Sequence, residues 1–115
     1  MASNVIQEKS FKFALKTIRL YCRLRDQREY VISKQLLRSG TSIGANVEEA
    51  ASGQSRKDFL SKMSVALKET RETRYWLRLL QESDLTDVSV KEEMACIDEL
   101  LRILASIVKT TKESQ

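Results

Sequence analysis

From Asn4 to Thr110, apolar residues return every three or four positions, and no proline interrupts them. That property excludes most folds. A half-buried strand needs alternation with a period of two, and the chain has no such stretch. Proline and glycine are the strongest helix breakers, and here proline is absent and glycine occurs three times. Short polar interruptions near Asp26, Gly53 and Asp84 divide the pattern into four runs. The spacing predicts helices over about 4–25, 30–52, 56–82 and 89–110. Short connections place successive helices antiparallel. The expected architecture is one domain over residues 1–115, all-α, an antiparallel up-down-up-down four-helix bundle.

Each run marks its own inward face. In the first, Phe11, Ala14, Leu15, Ile18, Tyr21 and Cys22 share one face. Ile6, Phe13, Leu20 and Leu24 make a second stripe. Together they exceed the roughly 100° stripe that one core needs, which predicts a further buried surface, most simply a subunit contact. In the second run Ile32, Leu36, Ile43, Val47 and Ala50 point inward. In the third, Phe59, Met63, Ala66, Thr70, Thr73, Leu77 and Leu80 do so. In the fourth, Val90, Met94, Ile97, Leu101, Leu104 and Val108 do so. Ser55 with Asp58, and Ser89 with Glu92, have the spacing of helix N-terminal caps. Gly53 suits the position just past a helix end.

The middle of the second run is unusually small: Ser39, Gly40, Thr41, Ser42, Gly44 and Ala45. Each mid-helix glycine costs about 1 kcal/mol against alanine. The spacing Gly40-x-x-x-Gly44 predicts close approach of a neighbouring helix backbone, which would offset that cost. A phosphate-binding loop is excluded by pattern, because no strand and no Gly-Lys-Ser/Thr precedes a helix here.

Polar residues flank this segment at helical spacing. Arg38, Ser42, Asn46 and Glu49 lie on one band of the second helix, and Glu69 and Glu72 lie on the matching flank of the third. Packing as a hairpin around Gly53 brings Arg38 toward Glu69 or Glu72. A buried charge requires a partner, so these six residues predict a buried structural network that fixes helix register. They do not predict catalysis. Di-iron bundles use Glu-x-x-His, and this chain has no histidine. No metal site and no cofactor is expected. Cys22 and Cys96 lack metal-binding spacing and are expected to be small buried hydrophobes in a reduced compartment. Trp76 is expected to pack rather than to bind a ligand. Residues 1–12 are polar and charged, and no apolar run approaches the roughly 20 residues of a membrane span, so a cytoplasmic, non-membrane protein is expected.

Charge supplies the functional lead. The net charge is +4, but it is unevenly placed. Seven bases and one acid lie between Lys9 and Arg28, and seven acids and one base lie between Glu82 and Glu99. Lys9, Lys12, Lys16, Arg19 and Arg23 recur at spacings of three and four, forming one basic stripe on the first helix. Such a stripe suits the backbone of RNA or DNA, where each cation neutralises a phosphate and releases a counterion. It lacks exposed aromatic interleaving, so weak sequence preference is expected. The alternative is a protein-interaction scaffold whose basic face meets an acidic protein surface, including the 82–99 segment of a neighbouring subunit.

The run Leu37-Arg38-Ser39-x-x-Ser42-Ile43-x-x-Asn46-Val47-x-Glu49-Ala50 carries a resemblance. So do Ser55-x-x-Asp58-Phe59-x-x-Lys62 and Lys68-Glu69-x-x-Glu72-Thr73-x-Tyr75-Trp76-Leu77. The chain resembles the bacterial four-helix-bundle proteins encoded in intervening sequences of 23S ribosomal RNA genes. The accessory variability protein of diversity-generating retroelements looks like a relative. The resemblance implies a ring-like homopentamer without enzymatic activity. For the retroelement relative it implies a basic surface that engages RNA and a reverse-transcriptase partner. Many members have glycine where this chain has Ala50, a departure that bears on subfamily rather than on fold.

Overall fold

The computed structural model describes residues 2–114, with side chains from Asn4 onward. Four helices follow in order: α1 (Ala2–Asp26), α2 (Ile32–Ala51), α3 (Arg56–Glu82) and α4 (Lys91–Glu113). Each packs on its neighbour in the chain, and α4 returns to α1. The result is an all-α four-helix bundle, 46 Å long and about 20 Å across. No strand occurs among the described residues.

The core runs the length of the bundle through Leu36, Ile43 and Val47 of α2, Met63, Ala66 and Leu77 of α3, and Ile97, Leu100 and Leu104 of α4. On α1 it takes Ile6, Phe13, Leu20 and Leu24, all essentially inaccessible. Of the two α1 stripes, this is the one that takes the core. Phe11 is 61 % exposed, Ile18 44 % and Leu15 36 %, and Cys22 is also exposed. At 100° per residue the centres of the two stripes stand roughly 135° apart around the helix. Both cannot face one core.

Packing against α2 decides between them. Ser10 and Thr17 belong to the inward stripe and are fully buried. They sit directly over the glycines of α2. A Cβ placed on Gly40 would lie 2.8 Å from Thr17 Cγ2 and Oγ1, and one on Gly44 would lie 3.3 Å from the Ser10 carbonyl oxygen. The small-residue segment of α2 therefore receives the backbone of α1, as Gly40-x-x-x-Gly44 predicted. The opposite side of α1 carries Phe11 and Leu15 and could not come as near.

The helix ends follow local chemistry. Ser55 caps α3, its Oγ accepting from Asp58 N–H at 3.0 Å. The α2 start lies two residues later than expected, because Glu29 organises it. The buried Glu29 carboxylate accepts from the N–H groups of Val31, Ile32 and Ser33 at 3.1, 3.0 and 2.6 Å. A carboxylate at a helix N-terminus also complements the helix dipole. Arg28 takes the tight step before it with φ 65°. The Ser89–Glu92 capping box does not form. α4 starts at Lys91 without a side-chain cap on Val90, and Glu92 turns to Lys16 instead.

Candidate functional site

The basic stripe of α1 faces two ways. On its α4 flank, Lys9 pairs with Glu99 at 3.2 Å, Lys16 with Glu92 at 2.8 Å and Arg23 with Glu93 at 3.1 Å. The other two point outward. Lys12 meets only Glu8, one turn back, at 3.0 Å, and Arg19 is exposed with no ion pair among the described residues. The 82–99 segment thus meets the stripe within one chain. Lys9, Lys12, Lys16 and Glu99 line a groove of about 150 Å³ together with Phe13, Cys96 and Leu100.

These pairs differ in consequence. Lys16 and Glu92 lie at the surface. The hydrogen bond and charge of Glu92 raise the Lys16 ammonium above its ordinary range, and the same bond lowers the Glu92 carboxyl. Pairs of this kind weaken with salt. Arg23 is different, because Glu93 is 5 % exposed and has no other ion-pair partner among the described residues.

The six polar residues of α2 and α3 divide into three sets. Arg38 bridges Glu69 and Glu72, with Nη1 3.4 Å from Glu69 Oε1 and Nη2 on Glu72 Oε2. Trp76 Nε1–H donates to the same Glu72 oxygen at 3.0 Å. The Arg38 hydrogen bond is the main cause holding the Glu72 carboxyl below its ordinary value of 4.5. Ser42 and Asn46 instead donate to their own helix, to the carbonyls of Arg38 and Ser42. Glu49 reaches Lys62 at 3.8 Å. They do not form one buried network: the Arg38 side chain is 50 % exposed and that of Glu49 63 %. The buried polar link between α2 and α3 is another pair, Thr73 Oγ1 donating to Ser39 Oγ at 2.8 Å.

Among the described residues, no group of three or more Cys, Asp or Glu side chains is placed to hold a metal ion. No helix is long and apolar enough to cross a membrane. Cys22 departs from the expectation of burial; it stands on the outward stripe of α1, while Cys96 is half-buried.

The fold and these surfaces define a four-helix-bundle protein whose distinctive features are on its outside. The family model of the 23S rRNA-intervening sequence protein matches residues 2–106. The chain belongs to that family. It is also similar to a crystal structure of a protein of unknown function from the S23 ribosomal protein family of Bacteroides thetaiotaomicron VPI-5482. Sequence identity is 45 % and the TM-score is 0.86, over 95 % of this chain and 99 % of that one. No curated protein matches the sequence.

Proposed function

We propose that the protein is a non-enzymatic subunit that self-associates through the outer face of α1, forming an assembly that binds the backbone of RNA or DNA. The observation that carries this reading is the apolar stripe Phe11, Leu15, Ile18 and Cys22, exposed on the side of α1 away from the core. Four such residues at spacings of four, three and four are what one helix offers to another. An exposed apolar patch of this kind marks an interaction site. A homo-oligomer is the simplest partner, and a pentameric ring is the order that the family resemblance implies. Assembly multiplies the basic surface, so weak phosphate contacts on single subunits add by avidity. The absence of histidine supports a binding role over catalysis.

Sedimentation velocity on the wild type and on Phe11→Asp/Ile18→Asp tests the assembly. The wild type should sediment as a discrete oligomer and the variant as a folded monomer. A monomeric wild type at micromolar concentration would overturn the reading. The protein-scaffold alternative, in which α1 cations meet an acidic protein surface, has a weaker basis. Lys9, Lys16 and Arg23 already face carboxylates of the same chain.

A further inference from the structure

α4 sorts its charges by flank. Glu92, Glu93 and Glu99 face α1, where they meet the α1 cations. Asp98, Arg102, Lys109 and Lys112 recur at spacings of four, seven and three, which places them together on the flank toward α3. The pair Arg74–Asp98, 2.7 Å, establishes that direction. A second tie sits near the bundle end, where Arg56 donates to the Ser114 carbonyl and hydroxyl at 2.6 and 2.7 Å. Counting along antiparallel helices between these ties puts Arg102 between the levels of Arg71 and Lys68. Lys68 then falls between Arg102 and Lys109.

We infer that this outer α3–α4 strip, not the α1 stripe, is the phosphate-binding surface, and that its ligand is single-stranded nucleic acid. The inference rests on the nucleic-acid reading above and gives it a location. Lys68, Arg71, Arg102, Lys109 and Lys112 are all exposed, and none forms an ion pair among the described residues. Lys68 adds to the field on Glu72 one turn away without bonding it. The acids of the strip are few. Asp98 is held by Arg74 and Glu82 by Arg78, leaving Glu113 at the end. The contrast with α1 is direct, because four of its five cations already have carboxylates of the same chain.

Tyr75 supplies the choice of ligand. Its ring is 56 % exposed, on the same outward side of α3 as Lys68 and Arg71, and rests edge-on against Trp76 with centroids 5.3 Å apart. An exposed ring among cations stacks an unpaired base, and bases in a duplex cannot offer that face. From Arg71 and Arg102 through Lys68 to Lys109 and Lys112 the cations succeed one another along the bundle axis.

The test is fluorescence anisotropy with a labelled 20-nucleotide single-stranded RNA, its DNA equivalent and a duplex of the same length, at two salt concentrations. If all five cations act on a single strand, log affinity should fall with log salt at a slope of about −3.5. Arg71→Glu/Arg102→Glu should weaken binding at least about tenfold, whereas Lys12→Glu/Arg19→Glu should change it less than about threefold. Tyr75→Ala should weaken single-strand binding about fivefold or more and leave duplex binding unchanged, with Tyr75→Phe restoring the loss. Loss of binding in the α1 variant but not the α3–α4 variant would overturn the location and keep the nucleic-acid reading. No binding by the wild type at low salt would overturn both. A duplex preference insensitive to Tyr75 would overturn the choice of ligand. Circular dichroism checks folding, and Arg71→Gln/Arg102→Gln replaces the charge reversal if that variant does not fold. Sedimentation of each variant separates loss of phosphate contact from loss of assembly.

Discussion

The two flanks of α1 are held by different means. Toward α2 the contact is steric: Ser10 and Thr17 lie over Gly44 and Gly40 so tightly that a methyl group at Gly40 would collide. Toward α4 the contact is largely electrostatic, with three ion pairs along the seam. Dispersion and steric fit act at short range and are indifferent to salt. Ion pairs at a surface are worth little and are screened. The seam with α2 should therefore set stability, and the seam with α4 should be where the bundle yields to salt and pH.

The largest effect should come from filling the close seam. Gly40→Val should destabilise the protein by about 2–3 kcal/mol, because overpacking outweighs the helix-propensity gain over glycine. Urea denaturation would measure it. If stability is unchanged, α1 and α2 are not in steric contact at that point. Next is Arg23→Ala, which leaves the Glu93 carboxylate nearly buried and without its ion pair. With Arg23 half-exposed, the expected loss is about 1–2 kcal/mol, below that of a fully buried pair. A loss as large as that of Gly40→Val would erase the distinction between the seams.

A third test concerns the α2–α3 seam and acid. Glu72 has a folded pKa below its ordinary value of 4.5, chiefly through Arg38. The stability it contributes is present above that ordinary value and is lost as the pH falls through the lowered one. Urea midpoints of wild type and Glu72→Gln should differ at pH 7 and converge toward pH 3. A constant gap would show that Arg38 does not hold this carboxylate in solution. Because Arg38 is half-exposed, Arg38→Ala should cost only about 1 kcal/mol. The smallest effect belongs to the α1–α2 turn. Arg28→Gly removes the left-handed strain of a side chain at φ 65° and should stabilise by up to about 1 kcal/mol.

The sequence pattern placed the elements well wherever local rules suffice. Ser55 and Asp58 located the start of α3, and the 3.6-residue period located the core residues of α2, α3 and most of α4. It also showed that Gly40 and Gly44 admit a neighbour. The start of α2 was less legible. Glu29 stands before the helix, and only its wrap onto three amides reveals it as the cap. The Ser89–Glu92 spacing suggested a cap, but Glu92 found a cation on another helix.

The surfaces show where local rules stop. Periodicity alone revealed that α1 has more apolar surface than one core can cover, and that its charges and those of 82–99 are opposite. Those facts belong to the chain. Which α1 stripe turns inward was decided by α2, whose glycines accept Ser10 and Thr17 but have no room for Phe11. Which cations remain free was decided by α4, which brings Glu92, Glu93 and Glu99 to α1 and leaves Arg102, Lys109 and Lys112 beside α3. Helix formation and facing depend on neighbours within a few positions, so the sequence by itself determined them. Burial of one stripe rather than another, and cancellation of one charge by another, depend on residues about 70 positions away, and only the tertiary structure brings those together.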